Sequence, residues 1–204
     1  MIIATQRLTL RPFRRDDAPV IAALAGDPRV ARMLVDVPLP FDEAAARRWL
    51  SVSWAELRLG IERNGELIGG VCYFCHLGGA VSLGYWLGAA YWGQGHATEA
   101  AAALLHHGFA IERMQHFRSA HFIDNPASGR VLQRLGFRRV GGSGAWCPAR
   151  KAPVESATYA LSREDAGYPP VRSTLAGVLG FRPLMPSAAV APTLTSPASA
   201  RHQP

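Results

Sequence analysis

The chain has 204 residues, of which 49% are hydrophobic and 18% are charged, so it is long enough to bury one substantial core. It has no apolar run of about 18 residues, and its N-terminus lacks a basic region followed by a long apolar stretch. We therefore expect no membrane span, no signal peptide and a cytoplasmic location.

The net charge of +7 comes almost entirely from arginine, since Lys151 is the only lysine among the 22 basic residues. These arginines are scattered and form no dense block, which indicates compositional bias more than a binding patch. No specific nucleic-acid partner is expected, although the charge leaves an acidic or RNA-rich partner open.

The three cysteines are an odd number, which does not favour a disulfide framework and agrees with a reducing compartment. Cys72 and Cys75 form a C-x-x-C pattern, but they lie in a strand-like stretch. Three residues of separation place their side chains on opposite faces of a strand. We therefore expect neither a metal site nor a redox role for this pair.

The N-terminal third predicts one strand and two helices. Alternating polar and apolar residues predict a strand over Arg7–Arg11. One helix is predicted from a cap at Asp16 or Asp17 to about Ala25, and a second from after Phe41 to Trp54. The segment between them, Met33–Pro40, is either a Pro-bounded connector or a contact for the acceptor substrate, and the connector is the favoured interpretation.

The middle of the chain predicts an antiparallel meander. Strands are predicted over Leu59–Arg63, Glu66–His76 and Val81–Leu87. Asn64-Gly65 is a strong signal for a two-residue hairpin turn, and Gly78-Gly79 joins the next pair.

The second half predicts helices alternating with strands. Helices are predicted over His96–Glu112 and from the Asp124-Asn125-Pro126 break to Leu135, and strands over Gln115–Ile123, Phe137–Val140 and Glu155–Leu161. After Ser162 the chain becomes rich in Pro, Ala, Ser and Thr. We predict a main domain over 1–166 and a tail over 167–204, partly disordered or docked through the apolar Leu175–Leu179.

The stretch Gly84–Ala101 organises the rest of the sequence. Its apolar beginning is typical of a buried strand, Gly93-Gln94-Gly95 forms a tight turn, and an alanine-rich helix follows. A helix N-terminus carries unpaired N–H groups and a partial positive charge, and glycines allow an anion to approach them closely. This segment is therefore suited to bind phosphate, although two glycines can also serve only as a turn.

A second informative block runs from Asp124 to Phe137. Asn125 before a proline is a natural helix cap, and Ser128 lies in the first turn of the following helix. About 30 residues separate this block from the glycine turn, which leaves room for one helix and one strand.

Both blocks resemble signatures of the GNAT N-acetyltransferases. The string YWGQGHATEA is similar to the acetyl-CoA pyrophosphate loop of their RimJ/RimL-like branch, and Asn125 to Phe137 is similar to the branch motif N-x-x-S-x-x-(V/L)-x-x-(K/R)-(L/M)-G-F. The resemblance spans about Arg7 to Leu161. It implies an α+β fold, with a central twisted mixed sheet of about six to seven strands flanked by about four helices.

The resemblance also assigns roles to named residues. It places Tyr85, Trp86 and Leu87 along the pantetheine of acetyl-CoA, and Asn125 with Ser128 at the thioester end. Six residues of the turn and helix start would surround the pyrophosphate: Gly93, Gln94, Gly95, His96, Ala97 and Thr98. Ser128 is the implied catalytic residue, which assists the departing thiolate, and no metal is implied.

The general base is not assigned by the resemblance. Many branch members carry an acidic residue just before the GYWL string, where this chain has Ser82 and Leu83. Glu99, His121 and Asp124 are alternatives, as is a water relay or an amine that arrives partly deprotonated.

The implied function is acetyl transfer from acetyl-CoA to a primary amine, either a protein N-terminus or a small molecule, through a ternary complex. The enzyme would act as a monomer or homodimer. The alternative is an acyl-CoA-binding regulatory or interaction protein with little turnover.

Overall fold

The computed structural model describes residues 1–52, 57–75 and 81–169. Its eight strands form one mixed sheet in the order β1-β2-β3-β4-β5-β6-β8-β7. The strands are β1 (Ile3–Ala4), β2 (Thr9–Pro12), β3 (Leu57–Arg63), β4 (Glu66–Cys75), β5 (Val81–Leu87), β6 (His116–Phe122), β7 (Arg138–Cys147) and β8 (Ala152–Ser162). Every neighbouring pair is antiparallel except β5 and β6, which are parallel.

Within the described ranges, five α-helices cover the two faces of this sheet. They are α1 (Ala18–Ala25), α2 (Pro28–Ala31), α3 (Glu43–Ser51), α4 (His96–His106) and α5 (Pro126–Arg134). A π-helical turn, His107–Ile111, extends α4. None of the helices in the described ranges is long and apolar enough to span a membrane.

Each face of the sheet has its own apolar core. Residues of α4 and α5, including Leu104 and Leu132, pack with Phe109 and Phe117 on one face. Residues of α1, α2 and α3 form the core on the other face, around Ile21. Because side chains alternate along β5, Tyr85 belongs to the first face and Trp86 to the second.

The predicted α+β fold with a mixed sheet is confirmed, with differences in detail. The one-turn helix α2 and the two-residue strand β1 were not predicted, since elements this short have no periodic pattern. Strand β7 was predicted to end at Val140 but continues to Cys147. Its glycine- and serine-rich second half resembles a loop, and only pairing with β8 makes it a strand. The predicted Gly78-Gly79 connection and the segment Leu175–Leu179 lie outside the described residues.

A buried ion-pair network joins β2, β3 and the start of α1. The Arg11 guanidinium donates to both carboxylate oxygens of Asp17, at 2.7 and 2.9 Å, and to Glu62 at 2.6 Å. Burial alone would raise the pKa of Asp17, but hydrogen bonds from Arg11 and the Arg14 backbone hold that pKa below its usual value. Of the two predicted caps, Asp16 and Asp17, Asp17 occupies the N-cap position of α1, but its carboxylate accepts from Arg11 and the Arg14 backbone and makes no capping hydrogen bond to the helix.

The segment that follows β8 packs on the C-terminal end of α4. Tyr168 stacks on Phe109 with ring centroids 5.3 Å apart, and its hydroxyl lies 2.6 Å from Nδ1 of His106. The buried Arg163 donates to the backbone carbonyls of Phe109 and Pro169. The packed part of the chain therefore extends at least to Pro169, three residues beyond the predicted end of the main domain.

Two truncations test where the packed domain ends. Removing 170–204 is expected to leave the melting temperature nearly unchanged, because the contacts of Tyr168 and Pro169 are kept. Removing 167–204 is expected to cost about 2 kcal/mol through loss of the Tyr168 ring, or roughly 4–8 °C for a chain of this size. The melting temperatures of the two truncated proteins are compared by monitoring thermal unfolding with circular dichroism. Equal melting temperatures for the two truncations would contradict this boundary.

Candidate active site

The site begins where the two parallel strands separate. β5 and β6 pair at only two positions, Val81 with Phe117 and Ser82 with Arg118. A last link follows, in which the Ser119 hydroxyl donates to the Leu83 carbonyl at 2.9 Å. Beyond it, β5 continues to pair with β4 alone and β6 with β8 alone. An opening therefore lies between the C-terminal halves of β5 and β6, bordered on the β5 side by the backbone of 84–87.

Two helices begin at the mouth of this opening. α4 starts nine residues after the end of β5, and α5 starts four residues after the end of β6. α4 has no side-chain cap, so its first N–H groups and partial positive charge are available there, whereas α5 begins with a proline and is capped by Asn125.

The turn before α4 has the backbone that its glycines predict. Gly93 and Gly95 have φ values of +75° and +81°, in the left-handed region that glycine adopts without strain. A Cβ at Gly93 would meet no atom within 4 Å, whereas one at Gly95 would lie 3.3 Å from Nη2 of Arg7. The turn is therefore open on one side and backed by an arginine on the other.

Two arginines bring positive charge to this turn. Arg7 donates to the Gln94 carbonyl at 3.0 Å and is held by a 2.7 Å ion pair with Glu99 in α4. Arg63 approaches the Gln94 side-chain oxygen at 3.4 Å. Neither arginine was predicted as part of the site. The sequence offers no spacing signal for them, because the β1–β2 turn brings Arg7 and the end of β3 brings Arg63 from far away in the chain.

Two buried polar atoms beside the turn have no protein partner. Nδ1 of His96 and Oγ1 of Thr98 are inaccessible to solvent and lack hydrogen bonds within the described part of the chain. His96 itself is only 1% exposed. Burial, together with the nearby charges of Arg7 and Arg63, lowers the pKa of His96, which favours its neutral form.

The remaining predicted loop residues are positioned by the protein itself. The Gln94 amide donates to the Ala90 carbonyl at 3.1 Å, so the Gln94 side chain stabilises the turn. Trp92 donates from Nε1 to the Leu87 carbonyl at 2.9 Å and closes the segment between β5 and the turn. Ala97 packs against the core of the α4 face.

The strand residues predicted to line pantetheine are divided between two faces. Tyr85 and Leu87 lie on the face of α4 and α5, whereas Trp86 packs on the opposite face, against Gly70 and beside Phe13. The Trp86 side chain is therefore turned away from α5, and its backbone carbonyl points to β4, so Trp86 itself offers little to the opening.

At the start of α5 the two predicted residues have different partners. Oδ1 of Asn125 accepts from the Ser128 backbone N–H at 3.2 Å, so Asn125 is the helix cap that the sequence allowed. The Ser128 hydroxyl caps nothing. It lies 2.9 Å from the Tyr85 hydroxyl, which also donates to the Ser128 carbonyl at 3.0 Å. A strand and a helix separated by 43 residues in the chain thus meet across the opening.

Two of the three candidate bases, Glu99 and Asp124, already form ion pairs with arginines. Glu99 accepts from the Thr5 hydroxyl, the Arg7 backbone and the Arg7 guanidinium, which secures the N-terminal strands to α4. Asp124 is paired with Arg150 at 2.8 Å, and this contact lowers the pKa of Asp124. His121 lies beneath α5, where its Nε2 would be 2.7 Å from a Cβ at Gly129.

Another set of contacts secures the loop after α2. The Cys147 thiol lies within hydrogen-bond reach of the Arg32 and Leu34 carbonyls, and Arg150 donates to the Arg32 carbonyl at 2.7 Å. These contacts tie the loop to the β7–β8 turn and, through Asp124, to the end of β6. No pattern in the sequence assigns a function to Cys147 or Arg150.

These features fit a coenzyme A thioester. The turn can hold a pyrophosphate, the opening has strand edges for an extended amide chain, and Ser128 lies at the end near α5. Among residues 1–52, 57–75 and 81–169, no group of three or more His, Cys, Asp or Glu side chains could hold a metal ion.

Comparisons with known proteins agree with this geometry. A family model described as "Acetyltransferase (GNAT) domain" matches residues 7–138. The uncharacterized N-acetyltransferase p20 of Bacillus licheniformis is 30% identical over 148 residues, which cover 67% of this chain and 82% of p20.

Solved structures with a similar fold include two acetyltransferases. A GNAT-family acetyltransferase from Bacillus anthracis superposes with a TM-score of 0.71 at 24% identity, covering 80% of this chain and 99% of that one. RimL, a ribosomal L7/L12 alpha-N-protein acetyltransferase solved in complex with coenzyme A, gives a TM-score of 0.71 at 22% identity, covering 81% and 99%. The family match over residues 7–138 shows that this chain belongs to the GNAT acetyltransferases.

Proposed function

We propose that this enzyme transfers the acetyl group of acetyl-CoA to a primary amine while both substrates are bound. The observation that carries the proposal is the opening between β5 and β6, with the N-termini of α4 and α5 at its mouth. The backbone of 84–87 would pair with the amides of pantetheine as with an added strand. The N–H groups of the turn at Gly93–Gly95 and of the first turn of α4 would hold the pyrophosphate.

Charge supports the binding of a phosphate-rich donor at this turn. Arg7 approaches the turn from the β1–β2 connection and Arg63 from the end of β3, and the α4 dipole adds to their field. Within the described residues, the Thr98 hydroxyl and Nδ1 of His96 are buried without hydrogen-bond partners, as expected of polar groups that a bound ligand could satisfy.

The reaction needs few side chains. The amine nitrogen forms a bond to the thioester carbonyl carbon, the carbon–sulfur bond breaks, and the sulfur leaves with the electron pair. Ser128 would assist this departure with its hydroxyl, because it lies at the end of the opening and is not used as a helix cap. Asn125 would contact the coenzyme A chain through its amide nitrogen, since its oxygen already caps α5.

The amine would pass its proton to water in the site, or it would already have lost that proton before it binds. Glu99 and Asp124 are held by arginines as ionised partners, so neither is available as a base near neutral pH. Burial alone would raise the pKa of Glu99, but its bonds to Thr5 and Arg7 keep that pKa below the usual value.

The acceptor would approach along the wall formed by the loop after α2. Its ties to Cys147 and Arg150 fix it beside the end of β6. A fixed wall at the reacting centre supports a role in orienting an amine, which is either a protein N-terminus or a small molecule. RimL, which resembles this chain in fold, is a protein N-terminal acetyltransferase, and this supports including N-terminal peptides among the candidate acceptors.

The proposed function is tested by incubating the protein with acetyl-CoA and a panel of amines that includes N-terminal peptides, polyamines and amino acids. Release of free thiol that depends on the amine is the expected result. Tight binding of acetyl-CoA without turnover of any acceptor would contradict the proposed reaction and favour a binding protein.

Gly95→Glu tests the assignment of the pyrophosphate turn. A carboxylate would then lie where the pyrophosphate is expected, and like charges at about 4 Å repel by roughly 1–4 kcal/mol. Affinity for acetyl-CoA is expected to fall at least about tenfold in calorimetry.

Gly95→Ala is the matched control for that variant. It introduces the same left-handed strain and the same Cβ near Arg7, but no charge. The alanine variant is expected to bind acetyl-CoA much more tightly than the glutamate variant. Equal affinities of the folded variants would mean that the turn holds no anion.

Ser128→Ala tests the role of the hydroxyl in the reaction. An interaction made mainly in the transition state contributes to rate, so kcat is expected to fall about ten- to a hundredfold. The apparent affinity for acetyl-CoA should change only a few-fold. The melting temperature should hardly change, because the hydroxyl does not cap α5.

Asp42→Ala is the stability control. It removes the side chain that caps α3, away from the opening, and should cost about 1 kcal/mol, or roughly 2–4 °C, without lowering kcat. An unaltered kcat in Ser128→Ala would remove Ser128 from the catalytic residues.

A further inference from the structure

Side-chain hydrogen bonds connect the two sides of the opening at two places. At its closed end, Ser119 of β6 donates to the Leu83 carbonyl of β5. Across its mouth, the Tyr85 hydroxyl of β5 contacts both the carbonyl and the hydroxyl of Ser128 in α5. Tyr85 is therefore the residue that links β5 to the hydroxyl proposed to assist the leaving sulfur.

The hydrogen positions at this contact are limited by chemistry. The Ser128 carbonyl can only accept, so the Tyr85 hydrogen points to that carbonyl or to the Ser128 oxygen. When it points to the carbonyl, the Ser128 hydrogen must point to Tyr85 to form their 2.9 Å contact. When the Ser128 hydrogen turns to another acceptor, Tyr85 can donate to the Ser128 oxygen and the contact persists. The pair can therefore exchange partners without leaving a buried hydroxyl unsatisfied.

Tyr85 is suited to donate a hydrogen bond and poorly suited to release its proton. Burial raises the pKa of Tyr85 to about 12, although its bond with Ser128 acts in the opposite direction. Its ring packs against the core of the α4 and α5 face, which fixes the hydroxyl in place. A neutral, fixed phenol can orient a neighbour but would not protonate a thiolate itself.

Resting on the proposed function, we infer that Tyr85 is a positioning residue, which orients the Ser128 hydroxyl toward the leaving sulfur and strengthens it as a hydrogen-bond donor. Donation from Tyr85 to the Ser128 oxygen polarises the serine O–H bond, so the serine donates more strongly to a thiolate. The two hydroxyls then act as one unit in which Tyr85 works only through Ser128.

The titratable groups near this pair are His121 and Tyr159. The His121 ring lies against Gly129, the residue after Ser128, and its Nε2 is 3.4 Å from the Tyr159 hydroxyl. Tyr159 therefore offers a matched control, because it carries a second buried hydroxyl beneath α5 that does not contact Ser128.

The test uses coenzyme A as the probe and the acidity of its bound thiol as the readout. Thiolate absorbance is titrated with pH for the protein–coenzyme A complex, and the titration of the same protein with desulfo-coenzyme A, which lacks the thiol, is subtracted. This subtraction removes the protein cysteines, the tyrosines and His121 from the signal. No acceptor amine is needed.

In the wild-type complex, the pKa of the bound coenzyme A thiol is expected to lie below the pKa of the thiol in free coenzyme A. Ser128→Ala should raise the pKa of the bound thiol by about one, the value expected for loss of a hydrogen bond to a charged group. Tyr85→Phe should raise it by about half as much while coenzyme A affinity changes only a few-fold. The double variant should match Ser128→Ala, and Tyr159→Phe should match the wild type.

The outcomes separate this inference from the proposed function. A Tyr85→Phe complex with the wild-type thiol pKa, or a double variant in which the two effects add, would overturn the role of Tyr85 alone. Failure of the wild-type protein to bind coenzyme A in calorimetry would instead overturn the proposed function. Circular dichroism of Tyr85→Phe, which removes only one oxygen, verifies that the fold is retained.

Discussion

The separation of β5 from β6 is the constraint on which the rest of the site depends. Parallel strands normally continue their ladder, and unpaired strand edges inside a protein are costly. Here the ladder ends after Ser82, and the Ser119–Leu83 hydrogen bond marks its last link. The strands remain in one sheet because β4 holds β5 and β8 holds β6 along their lengths. The backbone of 84–87 is thereby left available to a ligand with amides of its own.

The electrostatics at the mouth follow from the same arrangement. Each separated strand is followed by a helix, and Arg7, in the turn between β1 and β2, and Arg63, at the end of β3, add positive charge beside the start of α4. Glu99 neutralises part of this charge, but it also fixes Arg7 against the turn through a 2.7 Å contact. A first-turn glutamate that could suggest catalysis thus positions an arginine beside the turn at which the donor substrate is proposed to bind.

The strand, the glycine turn and the start of α4 could be predicted from the sequence, because each is determined by residues that are close together in the chain. The alternation over Val81–Leu87 and the turn glycines encode the strand, the glycine turn and the start of α4, and the bounds of β5 and the first residue of α4 are confirmed. Contacts between distant segments could not be predicted. No pattern places Tyr85 beside Ser128, turns Asp17 from α1 toward Arg11, or docks Tyr168 on Phe109. These pairings depend on how the sheet orders its strands, which single residues do not reveal.

Hydrogen–deuterium exchange with and without coenzyme A tests the central claim most directly, because it reports on backbone amides without requiring an acceptor. If the ligand lies between β5 and β6 with its pyrophosphate on the turn, protection should increase at 84–87 and over Gly93–Thr98 and little elsewhere on the sheet. Binding that leaves both segments unprotected, or that protects β7 and β8 instead, would contradict this account of the site.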